Sequence, residues 1–260
     1  MTRLGLSTPA SVLPAGVVQA NMRSLILAGG VSSRMGVSKY SLPMPAANPG
    51  TERPLLLHLI MCHHECQLST SSQPSSDVSI SVRDQTQKAE IQQLLSSCRL
   101  PDGLKLGFVV DSMVNAGPTS GLLAAHEQDE NSCWFVTGCD YPLIEAAALG
   151  QLYRARASEY AAVTCFINDE GFFEPLLAIW TPPALHILHQ LMLSALSEGR
   201  RLGPYQALRA LEKMPLIQSG LKAEYISNLC QVQPENSRWI RNVNTPQDWT
   251  DIQQYLEKSN

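Results

Sequence analysis

Leu25-Ile26-Leu27-Ala28-Gly29-Gly30-Val31-Ser32-Ser33-Arg34-Met35-Gly36-Val37-Ser38-Lys39 is the stretch on which the reading of this chain turns. A short apolar run empties into a glycine-rich loop that carries an arginine and, nine residues past the second glycine, a lysine. Without a Cβ, glycine lets the backbone bend sharply and brings its N–H groups close to a phosphate. Arg34 adds a planar fork and Lys39 a compact point charge, the two kinds of cation that a triphosphate takes. The loop lacks the Gly-Lys-Ser/Thr ending of a P-loop and the G-x-G-x-x-G spacing of a dinucleotide fold. A plain strand-to-helix turn with two exposed bases is the alternative, and the rest of the chain decides between them.

Composition sets the bounds. The chain has 260 residues, 44% of them apolar, which is enough for the sizeable core of one α/β domain. A net charge of −4 speaks against a nucleic-acid or anionic-membrane surface, and no window approaches the roughly 20 continuous apolar residues of a membrane span. Seven cysteines, an odd number without zinc-ribbon spacing, point to thiols in a reducing cytoplasm rather than to a disulfide framework. Residues 1–21 are small, Ser/Thr/Pro-rich and carry Arg3 as their single charge, so they read as a flexible leader; residues 22–260 read as one domain.

Strand-like and helix-like runs alternate. Strands are expected at Ser24–Ala28, Val78–Val82, Leu104–Val110, Cys133–Thr137, Ala161–Ile167 and Phe172–Trp180, and helices at Pro54–Cys66, Gln85–Ser97, Ser120–Gln128 and Ile144–Ala157. Ser69–Ser76 reads as a mobile surface loop, and Asn168-Asp169-Glu170-Gly171 as a hairpin turn joining an antiparallel pair. The alternation predicts a Rossmann-like three-layer sandwich with a mostly parallel central sheet. In such sheets ligands gather beyond the carboxyl ends of the strands. Those ends here are Gly29-Gly30, Ser81 to Asp84, Asp111 and Asp140.

Asp140 follows the apolar run Phe135-Val136, and Asp111 follows Phe108-Val109-Val110. A carboxylate at such a place suits Mg²⁺, a hard cation held by one or two carboxylates plus substrate phosphates. Asp140 is the metal candidate; Asp111 is either a second acid at the metal or a hydrogen-bond partner of the nucleotide. Asn115 through Leu122 leads into a helix, and Gly117 and Pro118 at its start leave N–H groups open to an anion or a base carbonyl.

The order L-A-G-G-x-S-x-R-M-G-x-x-K, Asp111 through Gly121, Cys139-Asp140-Tyr141-Pro142, Glu174-Pro175-Leu176-Leu177-Ala178, Gly199-Arg200-Arg201-Leu202 and Asn242-Val243-Asn244-Thr245-Pro246 together resemble the MobA-like molybdenum cofactor guanylyltransferases. The resemblance runs over roughly residues 22 to 257. It implies the nucleotidyltransferase type of this fold, and transfer of GMP from GTP to a molybdopterin-type cofactor with Mg²⁺ and release of pyrophosphate. By the same resemblance Leu27, Ala28, Gly29, Ser81 and Asp111 hold the nucleotide, Lys39 its phosphates and Asp140 the metal; the loop and helix-start chemistry adds Gly30, Gly117 and Pro118 to the nucleotide site and Arg34 to the phosphates, with Arg34, Lys39 and Asp140 expected to carry catalysis. Arg200, Arg201, Asn242 and Asn244 match positions that hold the pterin, and molybdoenzyme assembly proteins are expected partners. Gly30 favours GTP over CTP, because related cytidylyltransferases carry L-A-A-G here. A cytidylyl- or sugar-phosphate nucleotidyltransferase, or a non-catalytic binding partner in molybdoenzyme assembly, are the alternatives.

Other features read as structural. His58, Cys62 and Cys66 fall four apart on one helical stripe with a His63-His64 pair beside them, which packing of the cysteines and a surface histidine pair explain as well as zinc does. Leu185, Leu188, His189 and Met192 form a stripe that covers the sheet. Thr245-Pro246-Gln247-Asp248 reads as a helix start with its capping acid.

Overall fold

Alternate residues of the first strand bury on opposite faces. Leu25 and Leu27 join one apolar cluster and Ile26 and Ala28 the other, the pattern of a strand covered by helices on both sides. The computed structural model describes residues 21–30, 34–45, 51–70, 76–111, 117–158, 161–215 and 227–259. The expected leader, apart from Asn21, lies outside the described residues, as do Val31–Ser33 of the glycine loop.

The chain runs β1 (Met22–Leu27), β2 (Pro43–Pro45), β3 (Glu52–Pro54), α1 (Leu55–Thr70), β4 (Ser76–Val82), α2 (Gln85–Ser96), β5 (Leu104–Val110), α3 (Pro118–Gln128), β6 (Cys133–Gly138), α4 (Ala146–Ser158), β7 (Ala161–Ile167), β8 (Phe173–Trp180), α5 (Pro182–Ser197), α6 (Pro204–Lys213), β9 (Ser227–Val232) and α7 (Pro246–Ser259). Seven strands form one sheet in the order β5-β4-β1-β6-β8-β7-β9, and β2 pairs with β3 apart from it. All neighbours are parallel except those of β8, which runs antiparallel to β6 and to β7. The sheet grows from β1 outward through β4 to β5, then resumes on the other flank of β1 with β6. That reversal opens a crevice between the carboxyl ends of β1 and β6, where a ligand sits in such folds.

One face of the sheet packs α1, α2, α4 and α7 through Leu59, Ile60, Ile91, Leu149 and Ile252; the other packs α3, α5 and α6 through Leu122, Leu185, Leu188, Leu208 and Leu211. Each of these ten side chains, once buried, stabilises the fold by about 1.5–3 kcal/mol before conformational entropy is counted. Residues 1–3 of most helices are announced by caps: Asp84 accepts from the Gln87 N–H at 2.8 Å and starts α2, and proline opens α3, α5 and α6.

Two expectations are corrected. Ser69 and Thr70 close α1 rather than belonging to a loop, because both hydroxyls donate to the Cys66 carbonyl at 2.8 Å and Ser76 is already strand; residues 71–75 of that expected loop lie outside the described residues. His63 and His64 are buried, not a surface pair. His63 bridges the sheet, bonded to Ser24 Oγ of β1 at 2.9 Å and Thr137 Oγ1 of β6 at 2.8 Å, and His64 bonds Ser76 Oγ at 2.6 Å. The hydroxyls under α1 are what let imidazoles enter the core. His58 likewise meets the Ile144 carbonyl at 2.8 Å, Cys62 and Cys66 are buried as expected, and among the described residues no cluster of three or more His, Cys, Asp or Glu side chains is placed to hold a metal. No disulfide joins the seven cysteines.

Candidate active site

The carboxyl ends of β1, β4, β5 and β6 bring the predicted residues to one edge. Ala28 N–H bonds the Ser81 carbonyl at 3.0 Å, Cys139 N–H bonds the Leu27 carbonyl at 3.2 Å, and Asp111 N–H bonds the Val82 carbonyl at 2.9 Å. These bonds carry the parallel ladders one step past the strands and hold the four loops side by side. Gly29 fits tightly there: a Cβ would come within 3.1 Å of Asp111 Oδ2 and 3.3 Å of the Arg83 nitrogen, so these neighbours would have to give by a few tenths of an ångström. At Gly30 a Cβ would meet nothing within 4 Å, so the second glycine faces open space.

Lys39 begins a single 3₁₀ turn, Lys39–Ser41, and reaches back across the crevice. Its ammonium donates to Asn244 Oδ1 at 3.0 Å and stands 3.7 Å from Asp140 Oδ2, with both side chains of that ion pair only about a fifth exposed, at 18% and 21%. Asn244 Nδ2 donates in turn to Asn242 Oδ1 at 3.2 Å. The asparagine loop is held from both sides. Val243 N–H bonds the Asp140 carbonyl at 2.8 Å, and the Asp248 carboxylate accepts from the Asn244 and Thr245 N–H groups at 2.9 and 2.8 Å. Thr245 Oγ1 accepts from Asp248 N–H, which completes a capping box at the start of α7. The lysine expected at the phosphates, the metal candidate and the two asparagines expected at the pterin therefore form one connected cluster.

Burial raises the Asp140 carboxyl above its ordinary range, and the Lys39 ammonium offsets part of that. Its Oδ1 is buried and accepts no hydrogen bond from another described residue. Gly138 makes room for it: a Cβ there would fall 2.6 Å from Oδ1. A buried carboxylate oxygen with no partner is costly, and a hard cation is the partner that such an oxygen suits. The residues fit a divalent metal held by one protein carboxylate together with substrate oxygens.

Two acids flank this centre. Asp111 accepts from Ser81 Oγ at 2.9 Å, and burial pushes its carboxyl up against the lowering pull of that hydroxyl. Ser81 itself is buried beneath α3, where Gly121 allows the helix to approach so closely that no Cβ fits; its hydroxyl serves Asp111. Glu174, quoted from the sequence only as part of a resemblance, is the second residue of β8 and accepts from the buried Tyr141 hydroxyl at 2.7 Å. Burial raises its carboxyl, and the nearby Asp140 adds to the rise. The signal for Glu174 was β8's direction, since the opening residues of an antiparallel strand lie at the carboxyl ends of its neighbours.

Other candidates stand apart from the cluster. Arg34 is exposed and forms no ion pair with a described residue. Gly117, with φ of +61°, caps α3 and Pro118 is exposed at its first turn. Arg200 is exposed and pairs with Glu198 at 2.5 Å, and Arg201 is exposed. Their loop meets the start of α3 through a bond from Thr119 Oγ1 to the Leu202 carbonyl at 3.2 Å. Cys139, beside Asp140 at the end of β6, is a buried thiol whose pKa is raised well above its ordinary value by burial and by Asp140, the state of a packed rather than a reactive thiol.

A glycine turn, an ammonium and a buried carboxylate with one oxygen left without a hydrogen bond, around a switch-point crevice, are parts that suit a nucleotidyltransferase, and the comparisons return that class. The chain belongs to the MobA-like NTP transferase domain family, whose model matches residues 24–213. It is 25% identical over 225 residues to a probable molybdenum cofactor guanylyltransferase of Methanosarcina mazei, covering 86% of this chain and 87% of that one. A molybdenum cofactor biosynthesis bifunctional protein of Synechocystis is 25% identical over 240 residues, covering 92% of this chain and 55% of that protein; this chain thus spans about half of its length. Among solved structures, molybdopterin-guanine dinucleotide biosynthesis protein A from Archaeoglobus fulgidus superposes with a TM-score of 0.57 at 20% identity, covering 91% of this chain and all of that one. A nucleotidyl transferase from Methanothermobacter thermautotrophicus gives 0.57 at 16% identity, covering 92% and 99%. These two likenesses establish the fold.

Proposed function

We propose that this protein transfers GMP from GTP to a molybdopterin-type molybdenum cofactor, forming the guanine dinucleotide cofactor and releasing pyrophosphate. The observation that carries the reading is the Lys39 ammonium, 3.0 Å from Asn244 Oδ1 and 3.7 Å from Asp140 Oδ2. One cation touches the loop expected to hold the pterin and the acid expected to hold the metal, so both substrates would meet at one point. The names of the Methanosarcina and Synechocystis relatives supply the cofactor chemistry.

In this reading a terminal phosphate oxygen of the pterin attacks the α-phosphorus of GTP in line. The new P–O bond forms as the bond to the β-phosphate oxygen breaks, and pyrophosphate leaves with that oxygen. Attacker and target are both anionic, so positioning and charge neutralisation dominate the barrier. Gly29 and Gly30 let the backbone approach the nucleotide, and Lys39 neutralises phosphate charge. Asn242 and Asn244 orient the pterin side, with Arg200 and Arg201 at its outer edge. Asp140 would hold Mg²⁺ through Oδ1, where the cation supplies further charge neutralisation at the phosphates. No group of the chain has to be a covalent nucleophile.

No helix among the described residues is long and apolar enough to cross a membrane. Work in the cytoplasm alongside molybdoenzyme assembly proteins belongs to the same proposal. The test is pyrophosphate release with molybdopterin and each of GTP, CTP and UTP, with and without Mg²⁺. GTP-dependent release is expected; release with CTP alone, or with none of the three, refutes the reading.

A further inference from the structure

Gln87, one turn into α2, is 3% exposed and spends its whole side-chain amide on backbone at the crevice. Its Oε1 accepts from the Arg83 N–H at 2.7 Å and its Nε2 donates to the Ala28 carbonyl at 2.9 Å. The partners fix the orientation of the amide, because one is a donor and the other an acceptor. Gln87 therefore links the end of β4 to the end of β1 at the first peptide of the glycine turn.

That link has a directional consequence. Ala28 points both its N–H and its carbonyl toward the β4 flank, the first to the Ser81 carbonyl and the second to Gln87. A trans peptide is planar, with its C=O and N–H opposed, and no described peptide is cis. Holding the Ala28 carbonyl against α2 thus aims the Gly29 N–H at the opposite flank, toward β6 and Asp140. Leu27 confirms the alternation, since its carbonyl already meets Cys139 N–H on the β6 flank at 3.2 Å. The Gly29 N–H makes no hydrogen bond to a described residue, and it faces the switch-point crevice.

We propose that Gln87 is a positioning residue for the nucleoside triphosphate: by gripping the Ala28 carbonyl it locks the Ala28–Gly29 peptide so that the Gly29 N–H is presented to the bound nucleotide. Gln87 itself touches no substrate. Freed of the grip, the peptide can rotate, and the N–H then has to be ordered at the expense of binding. The inference rests on the proposed nucleotidyl transfer only in that a nucleotide occupies the crevice.

The test compares wild type with Gln87→Met, which keeps the size of the side chain and loses both bonds, and Gln87→Glu, which can still accept from Arg83 N–H but cannot donate to Ala28. Asn228→Ala is the control for stability alone: Asn228 is a buried amide at the start of β9, the opposite end of the sheet, and donates to the Leu211, Met214 and Pro215 carbonyls at 3.0, 3.0 and 3.1 Å. Kd for GTP, CTP and UTP with Mg²⁺ is measured by calorimetry, with steady-state KM and kcat and the thermal midpoint of each variant. Loss of one oriented charge-assisted N–H is expected to raise Kd and KM for GTP about tenfold in both Gln87 variants, with kcat at saturation little changed. Asn228→Ala lowers the midpoint and leaves Kd at the wild-type value. Wild-type Kd in folded Gln87→Met and Gln87→Glu overturns this inference alone, as does an equal rise in Asn228→Ala. A wild-type protein that binds none of the nucleotides overturns the proposed function as well.

Discussion

Exchange of Asp140 for asparagine separates what the carboxylate does for the fold from what it does for the reaction. At 3.7 Å from the Lys39 ammonium, the pair attracts by about 4 kcal/mol for an effective dielectric of about 20. That gross figure is opposed by the burial of the carboxylate, and the direction of the Asp140 pKa decides the contest. It lies above the ordinary value, so folding binds the proton of this group more tightly than the unfolded chain does. A carboxyl with a raised folded pKa contributes most when protonated; its stabilisation is lost as pH rises from the unfolded value through the folded one. At pH 7 the ionised Asp140 therefore weighs against the folded state, and its Oδ1 without a partner is the structural counterpart. Asp140→Asn keeps the shape and removes the charge, leaving a buried amide that costs less than a buried carboxylate. Stability is expected to be unchanged or to rise by on the order of 1 kcal/mol, an upward shift of about 2–4 °C in midpoint. Turnover is expected to fall by about 10²–10³, the size found when one preorganised electrostatic group is removed. Thermal denaturation at pH 7 and pyrophosphate release are measured on one preparation. A variant that melts several degrees lower and turns over at the wild-type rate would refute the assignment: Asp140 would then be a structural anchor.

Gly138→Ala is expected to act on the same carboxylate from beneath. Its Cβ would lie 2.6 Å from Asp140 Oδ1 and 3.3 Å from Tyr141 Cε2, so the carboxyl must swing away; a loss of turnover of at least about tenfold checks this, in a protein whose circular dichroism is unchanged. The pH dependence of stability is set partly by His63, whose pKa is lowered to about 3 by complete burial. Its contribution is whole above the unfolded value of about 6.5 and declines below it by about 1.4 kcal/mol per pH unit toward the folded pKa. Urea titrations at pH 7, 6 and 5 should show that decline, and His63→Gln should flatten it.

Most of the sheet was legible because its strands are short apolar runs closed by glycine, serine or aspartate, and β1, β4, β5, β6 and β7 begin or end within two residues of expectation. The asparagine–glycine turn after β7 was legible for a local reason: Asn168 Oδ1 accepts from the Glu170 and Phe172 N–H groups at 3.0 and 2.9 Å, and Gly171 has φ of +78°. What escaped was long-range. β9 pairs with β7 from more than sixty residues away, and nothing in Ser227–Val232 says which edge it joins. β2 and β3 are three residues each, below the length at which alternation can be read. The histidines of α1 looked polar enough for the surface, and only the hydroxyls of Ser24, Ser76 and Thr137, on three different strands, explain their burial. At the site, Lys39 and Asp140 were named from local pattern and Asn244 from the family resemblance alone, whereas their meeting depends on the chain before α7 returning to the end of β6. Gln87 was invisible for the same reason: its partners are set by where α2 lies on the sheet.

The arrangement around Lys39 bears on how two polyanions are brought together. An ammonium has three donors and no acceptor, and this one already faces Asn244 Oδ1 and the Asp140 carboxylate. The asparagine loop in turn hangs on the Asp140 backbone through Val243 N–H. Asp140 thus holds the loop by its carbonyl and the lysine by its carboxylate, so a ligand that draws on either Lys39 or Asn244 is felt by the other across a single hydrogen bond. Such an interaction is reciprocal: whatever triphosphate binding does to the asparagine side, occupation of that side does to triphosphate affinity by the same factor. The connection needs no domain motion, because Asp140, Lys39 and Asn244 all sit on turns at one edge of a sheet that is covered on both faces.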